Sequence, residues 1–511
     1  MSLFRDLITN SADIASLQLF VINNIHRFHD LNNGNYTNIV AEKNDIRDFI
    51  ELKGSLLENI DYSYIQCKAF ISILFDFCER FGFLCTTRIE NTLVKNDLHL
   101  GKRREAAKLY LLQIRNNQDY IDRFERICAL IQCSIETEED SEVKPVITFS
   151  NYVAKIIRDT SEHYIAEIKL KLHTHTTNVT YPFLQSALIQ QIYQVEIDDT
   201  DSANIQIQSL IDNYLGHIGE IESDVDEQLE EILIENDTPY FAQLSNISVT
   251  FNNVRRIAVN RCSNVPANLP GRGVKPLYSE MDMYIYLKRY GNMHKSKLHS
   301  SFEIFPFHLL NSSVDIVDWG CGQGLASLVL IDYLKEQHIP LNVNKMTLIE
   351  PSDLSLKRAA LHVSLATSNV SLRTVCSVFN NLAPSDVHTA STTVKIHLFS
   401  NVLDIDESIF SISNLIRLIE ATQRGINYFF CISPYITDEK ADRVDSFKRY
   451  FENKYESFEN IFEAFNSGRL NGQYWNCNNN FNGNMNVYCR HPECGCENKW
   501  TRAISVFRVN I

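Results

Sequence analysis

Val314–Leu330 reads VDIVDWGCGQGLASLVL, and the order of its residues decides the fold of the C-terminal part of the chain. Ile316–Val317 is a short apolar run of the kind that forms a buried strand, and Asp318 closes it. Gly320, Cys321, Gly322, Gln323 and Gly324 then make a tight turn, and Leu325 to Leu334 carries apolar residues at helical spacing. Strand, glycine turn and helix together make the geometry in which backbone N–H groups at a helix N-terminus meet a ligand at the edge of a sheet. A dinucleotide fingerprint, G-x-G-x-x-G, needs its third glycine for close helix–strand packing beside a pyrophosphate. Counting from Gly320, that position is Leu325. The pattern fails there.

What stands instead is D-W-G-C-G-Q-G, an acid two residues before G-x-G-x-G. This resembles motif I of the class I S-adenosylmethionine (SAM)-dependent methyltransferases. The resemblance implies that Gly320, Cys321, Gly322 and Gly324 make room for the amino-acid end of SAM, with Asp318 beside its cationic region. A second element agrees with it: the β-like run Met346–Ile349 ends in Glu350, one crossover helix and a loop beyond Gly324. In the superfamily an acid at this place binds both ribose hydroxyls, since one carboxylate can accept two hydrogen bonds. After the third strand, Cys376–Asn381 lacks the acid that often bonds the adenine amino group, and Ser377 or Asn380 is the substitute.

The alternation predicts strand 314–318, helix 325–336, strand 345–350, helix 353–366, strands 371–376 and 394–400, helix 408–423, strand 426–432, helix 440–454 and a closing strand 501–509. The fold class is therefore α/β: a Rossmann-like, doubly wound sheet whose last strand, RAISVFRVNI, fits the antiparallel seventh strand of the superfamily. The resemblance covers residues 302–511.

A chain of 511 residues suggests two or three domains, and 44% hydrophobic content with 11% aromatics supplies packed cores. The net charge of −15 disfavours extended duplex nucleic acid as a partner. No window is apolar enough for a membrane span, and the N-terminus has no signal-peptide core. Thirteen scattered cysteines favour reduced thiols and a cytoplasmic location.

Residues 1–245 read as a mostly α-helical domain for substrate or partner recognition, with periodic runs at Ile14–Phe28, Ile46–Ile60, Tyr64–Phe83, Arg103–Ile114, Tyr120–Ile131 and Tyr152–Leu172. Glu136–Glu142 reads as a loop and Glu220–Glu235 as an acidic amphipathic helix. His173 and His175 lack neighbouring ligands and read as surface residues, not a metal pair. Residues 246–301 form a connecting region. In it Leu244–Val259 alternates like a strand or hairpin, and Cys262–Pro276 gathers prolines and glycines as a linker. Ser279 then caps a helix whose Tyr290, His294 and Lys297 either line the site or face water.

Methyl transfer needs nucleophile, methyl carbon and sulfur in line and, for some acceptors, a base. By the resemblance, residues after the fourth strand supply this, here Ser400–Asp406. The amino-methyltransferase signature (Asn/Asp-Pro-Pro-Tyr/Phe) is absent from this stretch. Asn401 is the candidate for orienting a nucleophile or contacting SAM. Asp404 or Asp406 is either a base or a cap for helix 408–423. Near the C-terminus an insertion, 476–498, holds Cys477, Cys489, Cys494 and Cys496, which are either ligands of a structural zinc or a cluster of reduced thiols. The function expected is SAM-dependent methyl transfer to RNA, protein or a small molecule. The alternative is an inactive methyltransferase fold acting as a binding or assembly factor.

Overall fold

The computed structural model describes residues 2–466 and 501–511, apart from 34–35, 83–85, 196–199, 218–237, 263–273, 278, 311–312, 368–369 and 408. The cysteines at 477, 489, 494 and 496 and the acidic stretch 220–235 lie outside the described residues. The chain forms two compact units.

The first unit carries helices α1 (Leu3–Asn10), α2 (Ile14–Asn33), α3 (Tyr36–Leu57), α4 (Ile65–Phe81), α5 (Thr86–Lys95), α6 (Lys102–Leu111), α7 (Gln118–Asp122), α8 (Phe124–Thr137), α9 (Val143–Asp159), α10 (Glu162–Thr177), α11 (Ala187–Gln194) and α12 (Thr200–His217). Phe4 anchors its core edge-on against Phe28, Phe49 and Phe77 at 5.3, 5.8 and 5.8 Å. Two runs that read as single helices are each divided. Tyr120–Ile131 breaks at Arg123, and Tyr152–Leu172 breaks where Thr160 turns extended and gives its hydroxyl to the Ile156 carbonyl at 2.7 Å. His175, on α10, bonds Glu125 at 2.7 Å, and among the described residues no His, Cys, Asp and Glu group gathers as a metal site.

The second unit opens with α13 (Thr238–Leu244), α14 (Phe251–Arg261) and α15 (Glu280–Phe302). The expected strand or hairpin at 244–259 is therefore a helix for most of its length. Thr250 caps α14 by accepting the Asn253 N–H, and Phe251, Val254 and Ala258 bury one helical face. The period-2 reading came from Ile247, Val249 and Phe251, which cross into the cap.

The rest of the unit is β1 (Val314–Trp319), α16 (Leu325–Glu336), β2 (Val343–Ile349), α17 (Asp353–Ala366), β3 (Ser371–Val375), α18 (Pro384–Val387), β4 (Val394–Ser400), α19 (Ile412–Thr422), β5 (Ile426–Ser433), α20 (Asp438–Lys454), β6 (Glu459–Asn466) and β7 (Arg502–Asn510). The seven strands run β3-β2-β1-β4-β5-β7-β6, and β7 is antiparallel to both neighbours. The sequence pattern missed β6. It is an edge strand carrying Glu459 and Glu463, charges that blunt an edge, and a register shift between Asn460 and Phe462 breaks its alternation.

Register builds an aromatic ladder across one sheet face. Trp319 faces Phe399 across β1–β4 and stacks on it at 5.5 Å. His397 stacks on Phe429 at 4.6 Å, and Phe429 stacks on Phe507 at 4.8 Å. The order of strands reverses between β1 and β4, so their carboxyl ends part and leave the crevice in which open α/β sheets bind ligands. The glycine turn follows β1, and Asn401 follows β4.

Candidate active site

At the end of β1 the Cys321 N–H still bonds the Ile349 carbonyl at 2.9 Å, extending the strand pairing into the turn. Gly320 and Gly322 then take φ of +65° and +52°, a region L side chains rarely adopt. A Cβ on Gly320 would meet Val402 Cγ2 at 2.7 Å, whereas one on Gly322 would meet nothing within 4 Å. The first glycine permits a close approach of two chain segments. The second leaves open space above the turn.

That space is a cavity of about 1110 Å³, counting its open mouth. Gly320, Cys321, Gly322, Gln323 and Glu350 form one part of its wall, and Tyr286, His294, Ser400 and Asn401 another. Leu277, Val378, Phe379, Ile405, Ile409 and Phe410 give the wall its apolar area.

Glu350 ends β2. Its Oε2 accepts the Gly322 N–H and its Oε1 the Ser352 N–H, each at 3.1 Å. Burial pushes its carboxyl up to about 7, against the pull of these two donors. Each oxygen has a second lone pair beyond the one so used.

Asp318 is buried, and the structure turns it toward α16: Oδ2 accepts both the N–H and the hydroxyl of Ser327, at 3.2 and 2.7 Å. It thus caps the helix that the glycine turn begins, and it takes no place in the cavity wall. Its carboxyl is pushed up to about 6 by burial.

Asn401 adopts φ +58°, the left-handed region that Asn tolerates better than most residues. Its N–H donates to the Ile432 carbonyl at 2.7 Å. Its side chain turns to α15, where Oδ1 accepts from Lys297 Nζ and Nδ2 meets His294 Nδ1 at 2.5 Å and Ser400 Oγ at 3.1 Å. His294 Nε2 continues the chain to the Tyr286 hydroxyl at 3.1 Å. Burial, with the Lys297 ammonium nearby, holds His294 well below the ordinary imidazole range.

Several sequence candidates sit elsewhere. The Ser377 hydroxyl donates to the Val378 carbonyl at 3.0 Å and is not in the wall; its neighbours Val378 and Phe379 are. Asn380 is spent holding the 409–411 loop through the Ile409 carbonyl and the Ser411 N–H, both at 3.3 Å. Neither Asp404 nor Asp406 caps the following helix. That role belongs to Ser411, because α19 starts at Ile412. Asp404 is buried under Lys440, which reaches its carbonyl at 3.4 Å, and Asp406 pairs with the same Lys440 at 3.8 Å. Neither carboxylate reaches the cavity wall. His294 is on the wall, and Lys297 stands behind Asn401; Tyr290 is not on it.

Tyr286, and the side-chain role of Gln323, went unread in the sequence. Tyr286 shares the four-residue stripe of Tyr290 and His294, which is a usable signal. Gln323 had none. Its Nε2 donates to the Met283 carbonyl at 3.0 Å, and its own carbonyl accepts from His362 Nδ1 at 2.8 Å, so the turn is tied to α15 and α17 by distant residues.

No protein-family model and no curated protein matches the chain. Among solved structures it is similar to the plantazolicin methyltransferase BpumL in complex with SAH, at 13% identity over 53% of this chain and 98% of that one, with a TM-score of 0.28. It is similar to the plantazolicin methyltransferase BamL in complex with a triazolic desmethylPZN analog and SAH, at 11% identity over 52% and 99%, TM-score 0.29. A Listeria monocytogenes protein assigned to the class I SAM-dependent methyltransferases aligns at 11% identity over 77% and 88%, TM-score 0.29. At these scores the likenesses add nothing to the topology. The strand order, the antiparallel β7 and the glycine turn at the switch point give the second unit the class I SAM-dependent methyltransferase fold.

Proposed function

We infer that the chain binds SAM in this cavity and transfers its methyl group to a nucleophile. One observation carries the reading: Glu350 is bonded to Gly322 in the wall of a large cavity, at the place where a Cβ on Gly322 would point into open space. The residues present fit the cofactor. The open turn accommodates its amino-acid end, Glu350 offers two acceptor oxygens to a ribose diol, and Val378 and Phe379 offer an apolar surface to the adenine. When bound, SAM supplies an electrophilic methyl group on a sulfonium.

The chain's own residues then have distinct tasks. Glu350 and the glycine turn bind and orient the donor. Asp318 fixes the turn from below through Ser327. Leu277, Ile405, Ile409 and Phe410 exclude water from the wall, and Asn401 with His294 and Tyr286 forms its polar remainder. The helical unit is the candidate for substrate or partner recognition. Among the described residues, no helix is long and apolar enough to cross a membrane.

Titration calorimetry of the full chain with SAM and with its demethylated product tests the binding step. Wild type is expected to bind both and Gly322→Arg neither, and absence of binding by wild type would sink the proposal. Incubation with methyl-labelled SAM and fractionated lysate tests transfer. SAM binding with no labelled fraction would favour the binding-factor alternative.

A further inference from the structure

We propose, resting on the methyltransferase reading, that Tyr286, His294 and Asn401 are the acceptor side of the cavity and that they receive an uncharged nitrogen with a localised lone pair, holding it without removing a proton from it. Hydrogen-bond polarity along this chain of residues leads to that class. An ammonium only donates, so the Asn401 atom that Lys297 meets is the carbonyl oxygen. The amide nitrogen then faces His294 Nδ1 at 2.5 Å, and because an amide N–H only donates, Nδ1 is the bare nitrogen of the ring. The imidazole proton therefore sits on Nε2 and is donated to the Tyr286 oxygen at 3.1 Å. Asn401 and Lys297 are positioning residues in this arrangement. Together they fix one tautomer of a wholly buried histidine.

A histidine so fixed has no bare nitrogen toward the cavity and cannot take a proton there. The other titratable side chains of the wall do not replace it. Glu350 is taken by the ribose diol in the methyltransferase reading, burial holds the Cys321 thiol protonated, and the Tyr286 oxygen already accepts from His294. Asp404 and Asp406 stand off the wall. A hydroxyl acceptor needs a base to become nucleophilic, and among the described residues none is placed for it. A neutral amine or an imine-type ring nitrogen already presents its lone pair. That lone pair forms the new N–C bond as the C–S bond breaks with its electrons kept by sulfur, and the N–H proton of an amine acceptor leaves afterwards to water. The ammonium form of an amine has no lone pair to give, and the apolar wall around it disfavours the charge. Exocyclic aromatic amines and amides, whose lone pairs are delocalised, are the acceptors served by the Asn/Asp-Pro-Pro-Tyr/Phe signature that this chain lacks.

The tautomer is read directly in the full-length chain labelled with ¹⁵N-histidine, by two-bond ¹H–¹⁵N correlation from pH ~5.5 to ~8.5, with His294→Gln assigning the signal. The expected result is a neutral ring protonated on Nε2 across the range. In Asn401→Asp, a carboxylate against Nδ1 brings the ring's titration up into the range. A proton on Nδ1, or titration of the wild-type ring within the range, overturns the proposal. Hydrolysis of the material labelled by methyl-labelled SAM in lysate gives the second readout. N-methyl product on an amine or ring nitrogen is expected. O-, S- or C-methyl product overturns this inference and leaves the methyltransferase reading standing, whereas no label in any fraction, with SAM binding intact, removes both.

Discussion

Glu350 accepts the Gly322 N–H at 3.1 Å, so the end of β2 is hydrogen-bonded to the middle of the turn that follows β1. One carboxylate thus sets the shape of the turn and lines the space above it. Its burial raises it to about 7, which makes its charge state variable near neutral pH. A ribose diol donates two hydrogen bonds and is best received by the ionised form. The sign follows: with a raised carboxyl, the binding form is depleted below about 7 and filled above it. SAM affinity is expected to strengthen by about tenfold between pH 6 and pH 8, and Glu350→Gln to bind weakly with that rise removed. A wild-type dissociation constant flat across this range, measured by calorimetry, would show that Glu350 does not receive the diol.

The glycines of the turn and one outside it separate fold from function. Gly320→Ala forces a Cβ to within 2.7 Å of Val402 at φ +65°, and Gly425→Ala forces one into the Ser391 carbonyl oxygen at φ +96°. Each is expected to cost about 2 kcal/mol or more, a drop of several degrees in Tm. Gly322→Ala meets no atom and carries only the left-handed strain of about 1 kcal/mol, yet it intrudes on the cavity. Its Tm is expected near wild type while SAM binding falls. Equal Tm losses for all three in differential scanning calorimetry would mean that Gly322 is only structural.

The third strand's exit distinguishes a hydroxyl from a ring. The Ser377 hydroxyl is used up on the Val378 carbonyl, so Ser377→Ala is expected to change SAM affinity by less than about twofold. Phe379 is in the wall, held edge-on by Trp319 at 6.1 Å and Phe410 at 5.1 Å. Removing it in Phe379→Ala takes away a half-buried aromatic surface of the wall, and SAM binding is expected to weaken by about tenfold or more. The reverse order of effects in calorimetry would return Ser377 to the site.

These residues also mark what a sequence can disclose. The switch-point turn was legible because Asp318, the glycines and Glu350 sit at strand ends, where spacing alone fixes their neighbours. The helix boundaries 325–336 and 353–366 were legible because caps and periodicity are local. The polarity of Asn401 was not. It depends on Lys297 and His294, which are more than a hundred positions away and reach it only once α15 packs beside the end of β4. Asp404 and Asp406 looked like site carboxylates because they follow β4, but Lys440 on a distant helix pairs with the Asp406 carboxylate and holds the Asp404 backbone carbonyl, and neither side chain lines the cavity. Strand β6 was hidden for a different reason: its register shifts between Asn460 and Phe462, so its apolar residues do not keep a period of two.

Two buried histidines set a pH limit on the second unit. His362 is held between Tyr240 at 2.7 Å and the Gln323 carbonyl at 2.8 Å, and His397 between Trp319 at 3.1 Å and Asn427 at 2.9 Å. Burial pushes each down to about 4 from the ordinary 6.5. The folded state therefore stays neutral where the unfolded chain takes up protons, so the stability contributed is complete above 6.5 and is lost as the pH falls toward 4. Each histidine accounts for about 3 kcal/mol of that loss. Asp318, pushed up to about 6, opposes it, since its contribution is present at low pH and lost as the pH rises through 6. Single variants expose the histidine part against that background. His397→Gln keeps an acceptor for Trp319 and a donor for Asn427 without a titrating ring, and it is expected to be less stable than wild type at pH 7.5. That deficit should shrink by about 3 kcal/mol by pH 4. Urea titrations followed by Trp319 fluorescence, with Trp475 and Trp500 changed to Phe, measure it. A deficit independent of pH would mean that His397 is protonated in the fold.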